Sequence, residues 1–268
     1  MPLQGFSVPL SPEGRASLTC LPPWHYAGEL LLVDFDAAPE AVAALLPPRL
    51  EIDAERPGGC VALFVAWQYA SDTGFEFVDP ARSQYNEFIL LVNAVYRDRQ
   101  VQTCPYIYVD SDVSMARGWI QGWPKKLSDV RTTRAFALPS KAAPQVAPGG
   151  RFGATVSANG RRLAEAVVQL EKVSTDPVFL GKRPVINRRY FPQLAGGGSQ
   201  AAPVDELVRS ILTDLSQTEI WEGGADLRFF TAPDNELDAL QPVTVRRGYR
   251  YSMTMTINDL EVVETLGG

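Results

Sequence analysis

The chain has 268 residues, of which 46% are hydrophobic and 21% are charged, and its formal net charge is −6. These values are ordinary for a globular protein with a substantial core, and they exclude a mostly disordered chain. The acidic balance, without a cluster of basic residues, argues against a nucleic-acid-binding protein. No stretch has the pattern of a signal peptide or the length of a membrane span, so we expect a soluble, cytoplasmic protein.

Alternation of apolar and polar residues dominates the chain, and the segments that carry it are rich in Val, Ile, Phe and Tyr. They predict strands over residues 29–36, 60–70, 85–97, 102–110, 129–138, 151–158, 163–173, 218–230 and 249–263. Several of these segments exceed the usual strand length, which indicates a strongly curved sheet or a barrel with bulges. Short helices are predicted over 38–46, with a proline in the first turn, and over 111–121, with Ser111 or Asp112 as the N-cap.

A glycine-rich stretch, AGGGSQAAP at 195–203, is the one low-complexity segment of the sequence. Similar strand patterns lie on both sides of it, so we interpret it as a long surface loop and not as a linker between domains. Residues 1–268 are therefore expected to form a single domain of the α+β class, mainly antiparallel β with a few short helices.

His25 is the only histidine, and its aromatic neighbours in PPWHYAG favour a hydrogen-bonded packing role. A serine or cysteine hydrolase normally needs a histidine base, so this class of enzyme is not favoured. Cys20, Cys60 and Cys104 are widely spaced and form no CxxC pair, which indicates neither a disulfide framework nor a metal site. The glycine motifs that bind nucleotide phosphates are also missing.

The segment GWPKKL, residues 122–127, places two adjacent lysines directly after Trp123 and Pro124. Such a pair is usually a solvated surface patch, and spacing alone favours that interpretation. The segment follows a predicted helix and continues as a strand, in which consecutive side chains point to opposite faces. If Trp123 and Lys125 face inward, Lys125 enters an apolar interior while Lys126 points elsewhere.

A buried lysine has a chemical consequence, because only the neutral amine attacks a carbonyl group. Lowering its pKa from about 10.4 to about 6 or 7 requires about 5 kcal/mol of destabilisation of the ammonium form. Burial supplies about 3 to 5 pKa units, and a unit charge about 4 Å away supplies about 4 kcal/mol at most. If the two amines diverge, desolvation of Lys125 must supply most of the shift, with Lys126 as a secondary influence.

Glu87, in SQYNEFILLV, is the only acidic residue in or directly before the apolar run of strand positions 88–92. A solvated strand face is the ordinary interpretation of such a residue. Alternation places Glu87 on the face of Tyr85 and Ile89, which is not an obviously polar face. A carboxylate that lines an internal cavity explains this mixed pattern, and it would supply the proton-transfer partner that an imine-forming lysine needs.

These motifs, together with GELLLVDFDAAPEAVAALLPPRLEID (28–53) and KRPVINRRYFP (182–192), resemble the acetoacetate decarboxylase-like superfamily over most of the chain. The resemblance implies a cone-like, largely antiparallel β-barrel, a homo-oligomeric assembly and no cofactor. It also implies that Lys125 forms an imine with the substrate and that Glu87 works with it.

The sequence departs from the decarboxylases that it resembles at two positions. Those enzymes carry an arginine just before the glutamate that opens the first long strand, where this chain has Gly28 followed by Glu29. They also carry a second acidic residue near the position of Leu63, where this chain has only VALFVAW. The groups expected to handle a substrate carboxylate are thus missing, whereas the imine-forming pair is present.

The resemblance is therefore closer to the aldolase-dehydratases of the superfamily. The leading hypothesis is a Schiff-base lyase that condenses a 2-oxo acid such as pyruvate with an aldehyde through an imine on Lys125, or catalyses the reverse hydratase-aldolase cleavage. The first alternative is an acetoacetate or β-keto acid decarboxylase whose carboxylate contact comes from another residue, such as Arg117. The second is a barrel-type binding protein that performs no chemistry.

In the leading hypothesis Glu87 is the general acid and base. Tyr85 and Gln121 are candidates for holding the carboxylate or carbonyl oxygen, and a purely structural hydrogen bond explains each of them equally well. Trp24, Trp67 and Trp123 would suit a bulky or aromatic aldehyde if they line the pocket, although a core role is their default. The predicted substrate-binding residues are Tyr85, Arg117, Gln121, Trp123 and Lys126.

Overall fold

The computed structural model describes residues 2–175, 183–198 and 200–267, so Lys182 and one residue of the 195–203 stretch lie outside the described part. Strands make up most of the described chain, and the helices are few and short. The prediction of a mainly antiparallel β fold with a few short helices is confirmed.

The strands are numbered in chain order. They are β1 (Trp24–Asp36), β2 (Glu51–Ile52), β3 (Gly59–Ser71), β4 (Gln84–Tyr96), β5 (Arg99–Val109), β6 (Lys125–Leu127), β7 (Asp129–Thr132), β8 (Arg151–Ala158), β9 (Arg161–Val173), β10 (Asn187–Phe191), β11 (Val204–Gln217), β12 (Trp221–Phe229) and β13 (Thr244–Thr265). The helices are α1 (Pro39–Ala43), α2 (Pro80–Ser83) and α3 (Asp112–Ile120), and short 3₁₀ turns lie at Phe75–Val78, Ala195–Gly198 and Leu237–Leu240. Within the described residues, no helix is long and apolar enough to cross a membrane.

The strands form one large sheet in the order β6-β5-β4-β3-β1-β13-β12-β9-β8-β7. Neighbouring strands are antiparallel except for β5 and β6, and β11 is added to β13 with β10 beyond it. The two ends of this path, β6 and β7, are consecutive in the chain with only Ser128 between them. The sheet therefore curls back on itself, and in the described part of the chain its ends are joined covalently and not by a hydrogen-bonded ladder.

Alternation along β1 divides its side chains between two packed layers. Leu31, Val33 and Phe35 belong to a core that they share with β3, β8, β9 and β12. Leu30 and Leu32 point to the opposite face and pack with residues of β3, β4, β5 and β13. Because both faces of the central strands are covered, their sequences are nearly continuous apolar runs. The second face holds the cavity described below.

The sequence does not predict β10 and β11. The alternation of β11 is interrupted because its register against β13 shifts at three points, and each bulge moves the following side chains to the other face. The glycine-rich stretch that we interpreted as a loop lies between β10 and β11 in the chain. These two strands pair with each other in the same sheet.

One predicted strand is wrong in its second half. In the segment 129–138 the strand ends at Thr132. The prediction assumed that Phe136 and Leu138 continue the buried face of the strand, but these side chains are 59% and 78% exposed, so no burial of apolar surface extends the strand this far. Of the predicted helices, α1 is shorter than 38–46. Helix α3 begins at the predicted cap, where Ser111 Oγ accepts a hydrogen bond of 3.2 Å from the Ser114 N–H.

Candidate active site

A cavity of about 400 Å³ lies between β1, β3, β4 and β5 on one side and β11 and β13 on the other. Most of the side chains that line it are apolar, and each of these six strands contributes at least one leucine, isoleucine, valine or methionine. Lys125 and Glu87 are the buried charged residues of this lining, whereas Arg183 and Arg209 are more exposed. The buried charges of the lining are thus one lysine and one carboxylate, in a mostly apolar cavity.

The end of helix α3 sets the course of the chain into this cavity. The Trp123 N–H donates to the Gly118 carbonyl oxygen at 2.8 Å. The Gly122 N–H donates to the Trp119 carbonyl oxygen at 3.1 Å, and Gly122 has a φ of 79°. This is the Schellman arrangement that ends many helices at a left-handed glycine. A Cβ at Gly122 would also lie 2.7 Å from Val208 Cγ2, so glycine is required here for both conformation and space.

Strand β6 then fixes the directions of the two lysines. It pairs with β5 so that Lys125 lies beside Ile107, and Trp119 Nε1 donates to the Lys125 carbonyl oxygen at 2.9 Å. The Lys125 side chain is only 8% exposed. Lys126 points outward, and its Nζ donates to the Asp234 carbonyl oxygen at 3.1 Å. The two amines therefore diverge, as the alternation predicts.

Lys125 and Glu87 are in contact within the lining of the cavity. Lys125 Nζ lies 2.6 Å from Glu87 Oε1, and the Glu87 side chain is 5% exposed. Lys125 Nζ also donates to Ser114 Oγ at 2.9 Å, and Trp67 Nε1 donates to Glu87 Oε2 at 2.9 Å. Each oxygen of the carboxylate thus has a different neighbour, and the amine has two.

Burial lowers the pKa of Lys125 below the ordinary lysine value. Desolvation of the ammonium is the largest cause, the charge of Glu87 opposes it, and the positive charge of Arg117 acts in the same direction as burial. Desolvation thus dominates, as predicted, but the second cation that helps is Arg117 and not Lys126. At a given pH a larger fraction of Lys125 is the neutral, nucleophilic amine than in an exposed lysine.

Three of the predicted substrate-binding residues, Tyr85, Gln121 and Trp123, line the cavity beside this pair. The ring centroid of Tyr85 lies 5.8 Å from Lys125 Nζ. Burial holds the pKa of Tyr85 well above its ordinary value, so its hydroxyl stays protonated and able to donate a hydrogen bond. Gln121 Oε1 accepts a hydrogen bond of 3.0 Å from Ser210 Oγ, which connects α3 to β11.

The other two, Arg117 and Lys126, are not among the described residues that line the cavity. Arg117 is fully buried, and its guanidinium carbon lies 3.6 Å from the ring centroid of Tyr69 and 5.7 Å from that of Tyr26. Since Tyr26 lines the cavity, Arg117 lies behind an aromatic wall. Trp24 is also outside the lining, so of the three tryptophans considered only two face the cavity.

Several contributors to the site carry no clear signal in the sequence. Ser114 lies in the first turn of α3, and nothing in its local pattern distinguishes it from a surface serine. Strand β11 supplies an entire wall of the cavity, including Val208, Ile211 and Leu212. Trp67 is the exception, because alternation from Leu63 places it on the cavity face.

A buried lysine in contact with a buried carboxylate, in the lining of an apolar cavity, is the kind of cluster of buried titratable groups that marks a candidate active site. Within the described residues, no group of three or more His, Cys, Asp or Glu is arranged to hold a metal ion. A profile of the family described as acetoacetate decarboxylase (ADC) matches residues 7–266. The chain therefore belongs to the acetoacetate decarboxylase family, which confirms the resemblance seen in the sequence.

The solved structures that resemble this chain include other acetoacetate decarboxylase-like enzymes. The enduracididine biosynthesis enzyme MppR with bound HEPES is 35% identical, with a TM-score of 0.91 over 98% of this chain and 96% of that chain. MppR has also been solved with pyruvate, and with the condensation product of pyruvate and imidazole 4-carboxaldehyde. An acetoacetate decarboxylase-like enzyme from Sphingomonas wittichii RW1 is 27% identical, with a TM-score of 0.87 over 98% of this chain and 100% of that chain. Comparison with curated proteins gives no match.

Proposed function

We propose that the protein is a Schiff-base lyase that condenses a 2-oxo acid such as pyruvate with an aldehyde and then removes water. The observation that carries the proposal is the contact of 2.6 Å between Lys125 Nζ and Glu87 Oε1 inside the apolar cavity. In this contact Lys125 is the nucleophile, and its burial lowers the pKa of its amine. Glu87, which is buried beside it, is the group that accepts and returns protons. The same residues run the reverse hydratase-aldolase cleavage.

The reaction follows from these two groups. The neutral Lys125 amine attacks the C2 carbonyl of the 2-oxo acid, and uptake of one proton with loss of water gives an iminium ion. The Glu87 carboxylate then takes a proton from C3, leaving an enamine that attacks the aldehyde carbon and forms the new carbon–carbon bond. Glu87 first returns its proton to the alkoxide oxygen formed from the aldehyde, which gives a hydroxyl group on C4. Its carboxylate then takes a second proton from C3 and delivers it to this hydroxyl group, which leaves as water, and hydrolysis of the resulting conjugated iminium ion frees the unsaturated 2-oxo acid and Lys125.

The walls of the cavity support an aldehyde as the second substrate. They are largely apolar around the charged pair, so they bind an uncharged carbon skeleton by burial of apolar surface. Trp67 and Trp123 add aromatic faces on which a bulky or aromatic aldehyde could pack. The binding of pyruvate and of its condensation product with an aromatic aldehyde by MppR is in keeping with this assignment.

Decarboxylation is the alternative, and it requires a group that binds the carboxylate to be lost. Arg117 lies behind the tyrosine wall, and Arg183 is already paired with Asp53 at 2.7 Å. Tyr85 lines the cavity and keeps its hydroxyl proton, so it is better placed to hold a carboxylate that stays on the substrate. Gln121 also lines the cavity, and its Nε2, which donates to the Arg117 carbonyl oxygen at 3.0 Å, has one further N–H to offer. We therefore favour condensation over decarboxylation.

The test is reduction of the imine by borohydride. The protein is incubated separately with pyruvate and with acetoacetate, borohydride is added, and peptides are mapped by mass spectrometry. We expect an adduct with pyruvate on Lys125, together with formation of an unsaturated 2-oxo acid when an aldehyde is present. Release of acetone from acetoacetate without condensation would support the decarboxylase instead, and no adduct with either acid would leave only a binding protein.

Imine formation should follow the lowered pKa of Lys125. Below that pKa the amine is protonated and cannot attack, and above it the neutral amine accumulates, so the rate of adduct formation rises with pH. We expect its midpoint to lie below about 10.4, the pKa of an exposed lysine. The rate of pyruvate adduct formation, measured from pH 5 to 11 by rapid quench with borohydride, gives this midpoint. A midpoint equal to that of a free lysine would contradict an activated amine.

The Lys125 side chain packs directly against Gly118, in space that a larger residue would occupy. A Cβ at Gly118 would lie 2.4 Å from Lys125 Cδ and 2.5 Å from Cε. Gly118→Ala should therefore displace the amine, although alanine favours a helix by about 1 kcal/mol over glycine. A displacement near 1 Å lowers reaction rates by on the order of 10²-fold, and we expect this loss in the rate of adduct formation.

The matched control is Gly153→Ala. A Cβ at Gly153 would lie 3.7 Å from its nearest atoms, which is ordinary contact, and Gly153 is not among the residues that line the cavity. It should leave adduct formation unchanged. Equal rates for Gly118→Ala and the wild-type protein would show that Lys125 does not depend on this space.

The assembly predicted from the family resemblance, a homo-oligomer, is tested separately by light scattering.

A further inference from the structure

We infer that Trp67 is a positioning residue for Glu87, and that Gly28 exists as glycine to give Trp67 its place. The inference rests on the proposed function, because it assigns the orientation of the general base in that reaction.

The contact of Trp67 with the carboxylate is specific in its atoms. Trp67 Nε1 donates to Glu87 Oε2 at 2.9 Å, while Glu87 Oε1 lies 2.6 Å from Lys125 Nζ. Trp67 and Glu87 are 5% and 4% exposed, so water competes little for this hydrogen bond. An indole N–H only donates, so it holds the carboxylate by one oxygen and leaves Oε1 turned toward the amine and the substrate.

The position of the ring depends on β1. Gly28 and Trp67 are paired residues of the neighbouring antiparallel strands β1 and β3. A Cβ at Gly28 would lie 2.4 Å from Trp67 Cε3 and 2.6 Å from Cζ3. Both are atoms of a buried ring within the aromatic cluster that includes Tyr26, whose ring centroid lies 5.8 Å from that of Trp67 in an edge-on arrangement. The ring therefore has little freedom to yield, and any side chain at position 28 would move the indole N–H.

The two oxygens of the Glu87 carboxylate therefore have different roles: Oε2 is held by Trp67, and Oε1 transfers the proton. After Lys125 has become an iminium ion, its nitrogen is bonded to a substrate carbon and keeps a single N–H, so its contact with Oε1 holds Glu87 less firmly than the ammonium does. The hydrogen bond from Trp67 persists through this change. It keeps Oε1 directed at the C3 proton during enamine formation and at the hydroxyl group during the loss of water.

The test separates imine formation from turnover. Trp67→Phe keeps an aromatic ring but removes the N–H, so we expect the pyruvate adduct on Lys125 to form as in the wild-type protein. We expect kcat for condensation with an aldehyde to fall by on the order of 10²-fold, the effect of misplacing a catalytic group. The matched control is Trp24→Phe, since Trp24 is 3% exposed, donates from Nε1 to the Cys20 carbonyl oxygen at 3.1 Å, and lies outside the cavity lining.

Gly28→Ala supplies an independent arm. In the wild-type background it should lower kcat by displacing the indole, and in the Trp67→Phe background it should lower kcat little further, because no donor remains to be displaced. Equal losses in the two backgrounds, or a Trp67→Phe variant with wild-type kcat, would overturn the inference. Failure of the wild-type protein to form the adduct would overturn the proposed function instead, so the two failures are distinguishable.

Discussion

Lys125→Ala should abolish the borohydride-trapped adduct, whereas Lys126→Ala should keep it. The structure makes the two neighbours very different, since the Lys125 amine lies 2.6 Å from Glu87 inside the cavity and the Lys126 amine contacts the Asp234 carbonyl oxygen outside it. Only the first is buried, and the charge of the second is not among the main causes of the lowered pKa of Lys125. Intact-mass and peptide-level mass spectrometry after reduction with pyruvate present measures the outcome directly.

Stability must be measured beside the adduct, because Lys125→Ala leaves the Glu87 carboxylate buried without its cation. Breaking a buried pair from one side costs about 3 to 5 kcal/mol when the remaining charge is uncompensated. Lys125→Met, which fills more of the vacated volume, is a second variant for the same test. Thermal unfolding shows which variant is folded at the assay temperature. An adduct on a folded Lys125→Met protein would contradict the assignment of the nucleophile.

Two features of the site follow from local sequence geometry alone. The directions of Lys125 and Lys126 are set by a short extended strand, where neighbouring side chains must diverge. The same alternation places Glu87 on the face of Tyr85 and Ile89, and that face lines the cavity. An acidic residue and a lysine that are both out of place on apolar faces are therefore strong indicators, because burial of a single unpaired charge is too costly to be common.

The features that the sequence did not yield depend on contacts between distant segments. Arg117 influences Lys125 because α3 packs its guanidinium among tyrosines of β1, β3 and β4, and no spacing within α3 predicts this. Strand β11 forms a wall of the cavity, but its bulges erase the alternation that marks a strand. The role of Gly28 appears only when its partner across the sheet, Trp67, is known.

Glu87→Gln should separate the two halves of the reaction. The amide cannot accept the C3 proton, so we expect turnover with pyruvate and an aldehyde to fall by about 10² to 10⁴-fold, the usual contribution of a general base. Imine formation should persist, because the charge of Glu87 raises the pKa of Lys125 and its removal lets that pKa fall further. The midpoint of adduct formation should therefore move to lower pH, a direction that mere damage to the site would not produce.

Glu76→Gln is the matched control for this variant. Glu76 is 2% exposed and accepts hydrogen bonds from the Ser71 backbone N–H at 3.2 Å and from Ser71 Oγ at 3.0 Å, so it is a buried carboxylate outside the cavity lining. Its replacement should leave both the midpoint and kcat unchanged in the folded protein. If Glu87→Gln instead moved the midpoint upward, the carboxylate would be assisting loss of the lysine proton, and if kcat were retained, the base that removes the C3 proton would have to be another group of the cavity.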